Sequence, residues 1–194
     1  WVLSGNSIIV ESVAELLAIQ NPKDGSYAFV KSYHLGLGKG GGVFVYDSTK
    51  ANINNTGTIV GGWVRLYSGA IHFDWFGCKA DGVFDDWDAI NNAINSKAST
   101  AYLGDWNTTS IRTAGSFEFG VGVYRTTKPI LLPPYTRIVG QGNRWYFAGD
   151  ITKSNTIIKP DFSDVYQFAF QSANYNTNTS QLIDVNQNYT GGRV

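Results

Sequence analysis

Three carboxylates lie close together in the sequence, at Asp81, Asp85 and Asp86. Glycoside hydrolysis needs two carboxyl groups that flank the scissile bond, one of which acts as the acid. The same residue type also builds turns and helix starts: Asp81 precedes Gly82, and Asp85 or Asp86 can accept amides at a helix N-terminus. The sequence favours this structural role for all three, and it identifies no catalytic residue.

Aromatic side chains are the second candidates for chemistry, because the apolar faces of sugar rings pack on them. Trp63, Trp75 and Trp87 stand within apolar patterns, which predicts core positions. Trp106 and Trp145 stand in loop-like sequence, so they are the candidate carbohydrate-binding residues.

No cofactor and no metal site are predicted. Gly36, Gly38 and Gly41 satisfy the spacing G-x-G-x-x-G, but a dinucleotide site needs a helix after the glycines and a strand is predicted there. His34 and His72 are isolated and lack the spacing of metal ligands. Both histidines are predicted to be ordinary surface or packed residues.

The composition is that of a folded chain without a charged partner. Hydrophobic residues make up 43% of the chain and charged residues 15%. Because 15 basic residues balance 15 acidic ones, no net field draws the chain to nucleic acid or an anionic membrane. No apolar run reaches the ~18 residues that would span a bilayer. Cys78 is the only cysteine, which excludes an internal disulfide.

The first part of the chain, residues 1–70, is predicted to be a small α+β module. Ser12 and Glu15 fit a capping box at the start of a helix over 13–20, and Asn21-Pro22 ends it. Segments rich in aromatic and β-branched residues predict strands over 27–33, 43–46 and 63–67.

The remainder, residues 71–194, has a different pattern. Trp87, Ile90 and Ile94 form the apolar stripe of a second helix, and short β-type segments separated by turn residues follow it. Ile138, Ile157 and Ile183 lie 19 and 26 residues apart, a spacing that suggests a solenoid. A β-sandwich gives similar short strands, so the spacing leaves both folds open.

A longer motif favours the solenoid. Residues 73–94, FDWFGCKADGVFDDWDAINNAI, resemble the entry segment of pectate-lyase-like β-helices, whose pattern is roughly D-F-G-A-x-G-D-G-x-T-D-D-T-x-A-I-x-x-A-I. The later segments 117–124 and 128–142 resemble the family's following turns. The chain departs from the pattern at Ala80, Phe84, Trp87 and Gly120. The resemblance implies that the helix after the paired aspartates caps the solenoid, whose first rung would otherwise expose its core.

The front module also has a resemblance. Segments 13–16 (VAEL), 38–47 (GKGGGVFVYD) and 62–67 (GWVRLY) are similar to the module that precedes the β-helix in many phage tailspikes. The chain begins without Met and ends at Val194 without an obvious stop, and we expect it to be a fragment of a longer protein.

Together the resemblances imply a right-handed parallel β-helix in an extracellular virion tail. They imply a homotrimer that contacts other tail proteins and recognises host surface polysaccharide, either capsule or lipopolysaccharide. A depolymerase activity, by hydrolysis or by a lyase reaction, would use residues beyond Val194, and this chain alone is expected to be inactive. A non-enzymatic adhesin on the same scaffold and a secreted bacterial enzyme of pectinase or glucanase type remain the alternatives.

Overall fold

The computed structural model describes residues 8–102, 109–113, 115–133, 136–142, 155–162, 170–176 and 181–184. Within these ranges the chain is mainly β, with two α-helices and two 3-10 helices. No helix of the described ranges is long and apolar enough to cross a membrane.

A five-stranded sheet forms the front of the chain. It contains β1 (Ile8–Ser12), β2 (Tyr27–Ser32), β3 (Gly40–Tyr46), β4 (Ile59–Val60) and β5 (Trp63–Arg65). The strand order across the sheet is β1-β2-β3-β5-β4, and of these pairs only β1 with β2 is parallel. Helix α1 (Val13–Ala18) closes one face of the sheet, and the shared core consists of Val13, Leu16, Ala28, Val30, Phe44, Val60 and Trp63.

The start of α1 follows the predicted capping pattern. Ser12 Oγ accepts a hydrogen bond from Glu15 N at 3.3 Å. The Glu15 carboxylate accepts one from Glu11 N at 2.9 Å, one residue earlier than a capping box requires. The helix is two residues shorter than predicted, because Ile19 is already extended with ψ of 120°. The residue before Pro22 is also disfavoured in helical geometry.

Behind this sheet, strands from successive turns of the chain stack into three sheets. The first contains β6 (Ile71–His72), β10 (Ser116–Glu118) and β13 (Arg137–Val139). The second contains β7 (Asp81–Asp85), β11 (Gly122–Thr126) and β14 (Thr156–Pro160). The third contains β12 (Ile130–Leu132), β15 (Phe170–Asn176) and β16 (Gln181–Asp184), and a hairpin pairs β8 (Ala98–Tyr102) with β9 (Thr109–Thr113).

The pairing is that of a parallel β-helix. All pairs in the first two sheets are parallel, as is β12 with β15, whereas β16 is antiparallel to β15. The predicted fold class, a mainly β chain that begins a parallel β-helix behind a capping helix and a small α+β module, is confirmed.

The register corrects the repeat suggested by the sequence. Phe117 pairs with Ile71 on one side and Ile138 on the other, so these three residues are equivalent positions in successive rungs. Ile157 and Ile183 lie in β14 and β16, which belong to different sheets. The spacings of 19 and 26 residues therefore did not mark equivalent positions, because Ile138, Ile157 and Ile183 lie in three different sheets.

Helix α2 (Trp87–Asn95) carries the predicted apolar stripe. Ile90 and Ile94 are fully buried. Trp87 is half-buried at the rim, where its Nε1 donates to Pro129 O at 2.7 Å. The buried side of α2 packs into a hydrophobic core. This core includes Ile71, Phe73, Phe76, Ala89, Ile90, Ala93, Ile94, Phe117, Phe119, Tyr124 and Ile130.

A buried arginine joins the front sheet to the β-helix. The Arg65 guanidinium donates to the carbonyl oxygens of Gly40, Gly41 and Gly57, at 2.8, 2.6 and 3.2 Å. It also lies 5.0 Å from the ring centroid of Trp75, which belongs to the 3-10 helix at the entry of the β-helix. Burial lowers the pKa of Arg65 to about 10, so the side chain remains charged at neutral pH.

The backbones of the front sheet and of the β-helix entry approach each other closely at this junction. A Cβ at Gly40 would lie 2.1 Å from the carbonyl oxygen of Asp74, so only glycine fits. Lys39 Nζ donates to Val121 O at 3.3 Å, a second bond between the two parts. Lys39 and Gly40, in the glycine-rich segment 36–42, therefore form contacts through which the front sheet packs on the β-helix.

Candidate functional site

The first two predicted carboxylates hold backbone amides. Asp81 accepts hydrogen bonds from Val83 N at 2.8 Å and Phe84 N at 2.7 Å, and the bond from Phe84 lowers the pKa of Asp81. Asp85 accepts the first amide of α2 at 3.2 Å and the amide of Thr127 at 3.1 Å. Burial acts to raise the pKa of Asp85, but its hydrogen bonds outweigh burial and lower it.

Asp86 is buried and faces away from the helix it precedes. Its carboxylate accepts the amides of Lys79 and Ala80, at 2.7 and 3.1 Å, and pins the turn before β7. Burial raises the pKa of Asp86 to about 6, although both amides act to lower it. Asp86 is the N-cap residue of α2, but its side chain makes no capping bond, and the Asp85 carboxylate accepts the first helical amide instead. These bonds support the structural interpretation of all three carboxylates.

A fourth carboxylate, Asp74, forms a hydrogen-bonded pair inside the entry turn. Tyr124 is fully buried and its hydroxyl donates to Asp74 Oδ1 at 2.9 Å. Burial raises the pKa of Asp74, which the nearby Lys39 ammonium partly offsets. A Cβ at Gly120 would lie 2.7 Å from Asp74 Oδ2, which explains this departure from the family pattern. Because Tyr124 has no exposed surface, its hydroxyl holds Asp74 from inside the core.

The tryptophans divide into core and rim positions. Trp63 is buried as predicted, whereas Trp75 and Trp87 are only partly buried. Trp106 and Trp145 lie outside the described residues, and their proposed contact with carbohydrate stays a prediction.

The outer face of the first sheet brings together polar groups from three rungs. Parallel register places Glu118 beside His72 on one side and Val139 on the other, while Phe117 points into the core. His72 Nε2 lies 3.5 Å from Glu118 Oε2. Gln141 Nε2, just beyond β13, donates to Glu118 Oε1 at 3.1 Å. The Glu118 carboxylate thus lies between the side chains of His72 and Gln141.

Aromatic rings continue this row toward the front sheet. The His72 and Trp75 ring centroids are 4.9 Å apart, and Tyr67 meets Trp75 edge-on at 5.2 Å. Lys97 Nζ lies 5.7 Å from the Tyr67 ring centroid. We call the row Tyr67, Trp75, His72, Glu118 and Gln141 the outer strip.

Sequence reasoning missed the outer strip because its members come from distant segments. The alternation of Ser116, Phe117, Glu118 and Phe119 is a signal that could have placed Glu118 on the outer face, but it carries no information on which residue Glu118 would contact. His34 fits its prediction as a packed residue, since its Nε2 lies 2.8 Å from a backbone oxygen.

The chemistry of the outer strip suits binding. It carries one carboxylate, whereas glycoside hydrolysis uses two. Within the described ranges no group of three or more His, Cys, Asp or Glu side chains could hold a metal ion. Aromatic edges beside hydrogen-bonding groups are the arrangement expected of a surface that contacts an amphipathic ligand.

The sequence matches two family models. Residues 9–68 match the phage tail protein small four-stranded β-sheet domain. Residues 73–191 match the family described as rhamnogalacturonase A/epimerase, pectate lyase-like. No curated protein matches the chain at a significant level.

Solved structures share the fold. The tailspike protein of Acinetobacter phage vB_ApiP_P1 matches with a TM-score of 0.59 and 23% identity, over 88% of this chain and 26% of that one. The gp42 tailspike of Acinetobacter phage vb_AbaP_AS12 matches with a TM-score of 0.55 and 19% identity, over 88% of this chain and 31% of that one. The chain thus spans less than a third of each tailspike.

These findings confirm the predicted combination of a phage tail module with the start of a pectate-lyase-like β-helix. The second family model covers more than half of the chain. The chain belongs to the rhamnogalacturonase A/epimerase, pectate lyase-like family.

Proposed function

We propose that the chain is the front part of a phage tailspike that recognises host surface polysaccharide, capsule or lipopolysaccharide, and that the intact protein depolymerises it. The observation that carries this proposal is the presence of a phage tail domain over 9–68 and a pectate-lyase-like segment over 73–191 in one chain. The two are packed together through Arg65 and Gly40. A tail domain supports location in the virion and favours a spike over a secreted bacterial enzyme.

The catalytic groups are proposed to lie beyond Val194, as the family resemblance implies. Asp81, Asp85 and Asp86 are engaged by backbone amides, Asp74 is paired with a buried tyrosine, and the outer strip has a single carboxylate. We therefore expect the 194-residue chain alone to leave polysaccharide intact.

One experiment separates the three candidate functions. The intact protein is incubated with purified bacterial capsules, lipopolysaccharides and plant pectin, and both binding and polymer length are measured. Binding with shortening of a bacterial polysaccharide supports the depolymerase. Binding without shortening supports the non-enzymatic adhesin, and shortening of pectin alone contradicts the tailspike proposal.

The division of the chain is proposed to fall at about residue 70, with the α+β module over 1–70 and the capping helix and first rungs over 71–194. Two separate hydrophobic cores support this division, since one gathers residues 13–63 and the other residues 71–130. Arg65 links the two cores by its contacts with the front glycines and with Trp75.

The partners are proposed to be two further copies of the chain and other tail proteins. The face of the front sheet opposite α1 supports self-association, because Ile9, Tyr27 and Phe29 are 63%, 47% and 44% exposed there. Uncovered apolar surface of this kind marks an interaction site. Its charged pair, Glu11 and Lys31 at 2.5 Å, is neutral as a unit. An apolar face without net charge suits packing against other copies of the chain around a symmetry axis better than it suits a charged partner.

A further inference from the structure

We infer that the outer strip is a saccharide-binding subsite that holds an uncharged, hydroxyl-rich segment of polysaccharide along the axis of the β-helix. This inference rests on the proposed function and adds the place and the chemical class of the ligand. The site lies on the first rungs, beside the front sheet.

The spacing of the strip matches a sugar chain. Neighbouring strands of a sheet lie about 4.8 Å apart, which is close to the length of one pyranose unit. His72 and Glu118 are direct partners in the parallel register, and Gln141 follows the next strand of the same sheet. A polysaccharide that lies across the strands therefore meets one set of side chains for each sugar.

The exposed atoms fit hydroxyl groups and ring C–H faces. The side chains of His72 and Glu118 are 37% and 29% exposed. Each carboxylate oxygen of Glu118 has one protein partner, whereas an ionised carboxylate offers about four acceptor sites in all. Tyr67 is 37% exposed and presents an aromatic surface at one end of the strip.

The strip is held in place before any ligand arrives. Glu118 is clamped between His72 and Gln141. Trp75 is backed by the buried Arg65 guanidinium and by the edge of Tyr67. Side chains that are already ordered lose little entropy on binding, so such a surface can gain affinity from few contacts.

The charge of the strip selects against acidic sugars. Glu118 is the carboxylate at its centre, between His72 and Gln141, and a uronate placed there would meet a like charge. Lys97 lies at the far end, above Tyr67. The class of ligand is therefore a neutral hexose or amino-sugar segment, even where the complete polysaccharide carries acidic units.

The test uses the intact protein and an array of purified bacterial capsules and O-antigens, both neutral and uronate-containing. Apparent Kd values are compared for the wild type, Tyr67→Ala and Glu118→Gln. Phe84→Ala is the matched control, because it removes an aromatic ring of similar exposure, 39%, from β7 in the second sheet, away from the outer strip. Glu118→Gln keeps the shape of the side chain, and melting curves of each variant verify its folding.

We expect the wild type to bind at least one neutral polysaccharide, and Tyr67→Ala and Glu118→Gln to weaken that binding by about tenfold or more. Phe84→Ala should bind like the wild type. Equal binding by all four proteins, or a preference for uronate-rich polymers that Glu118→Gln leaves unchanged, would overturn the inference while the proposed function stands. Absence of wild-type binding to every polymer would instead contradict the proposed function, and the subsite with it.

Discussion

Replacement of Gly40 by alanine tests the junction between the front sheet and the β-helix. Gly40 has φ of +73°, and a Cβ there would lie 2.1 Å from the carbonyl oxygen of Asp74. Gly38 has nearly the same φ, +74°, but has nothing within 4 Å of the corresponding position. The pair Gly40→Ala and Gly38→Ala therefore separates backbone strain from the close approach of the two parts.

The expected losses of stability follow from two costs, backbone strain and steric overlap. An alanine in the left-handed region costs roughly 1–2 kcal/mol, and both variants share this cost. Only Gly40→Ala also forces the 3-10 helix of Asp74 to move by about 1 Å, since Cβ atoms stay beyond 3.0 Å of such atoms. Overpacking of this kind costs roughly 1–3 kcal/mol. We expect a loss of about 1 kcal/mol for Gly38→Ala and about 3 kcal/mol for Gly40→Ala.

Thermal unfolding followed by tryptophan fluorescence measures the difference. For a chain of 150–250 residues each kcal/mol shifts Tm by roughly 2–4 °C, so Gly40→Ala should melt about 10 °C below the wild type and Gly38→Ala about 3 °C below it. Losses that agree within about 0.5 kcal/mol would refute the close contact between Gly40 and the entry of the β-helix. The same displacement moves Trp75, so Gly40→Ala should also weaken saccharide binding.

Three further predictions concern the cap, a buried acid and assembly. Ile90→Ala should cost about 2–5 kcal/mol of unfolding free energy, because Ile90 is fully buried on the inner side of α2. A loss below about 0.5 kcal/mol would show that the helix is peripheral. Burial raises the pKa of Asp86 to about 6 in the folded chain, so the unfolded chain loses this proton at a lower pH than the folded chain does. The free energy of unfolding therefore falls as pH rises from about 4 to about 6. Asp86→Asn should flatten that slope in denaturant titrations, and an unchanged slope would contradict the assignment. Phe29→Lys should shift the intact protein from trimer toward monomer in mass photometry while Lys23→Ala does not, and a monomeric wild type at micromolar concentration would argue against the spike.

Local patterns in the sequence determined the structural elements that depend on contacts between residues close together in the chain. Ser12 and Glu15 are three residues apart, so the start of α1 depends on contacts within one turn. Ile90 and Ile94 lie one helical turn apart and share the buried side of α2. The entry motif then indicated the β-helix, because its helix and turn residues have to occur in a fixed order to close the first rung.

Only the tertiary structure decided which distant residues meet. The connections between strands differ in length, so no constant spacing revealed that Phe117 stacks between Ile71 and Ile138. The same register placed His72 beside Glu118. The burial of Arg65 was equally hidden, because its partners are backbone carbonyls rather than acidic side chains. Contacts of this kind depend on how the whole chain packs around its cores, and short-range sequence patterns do not specify that packing.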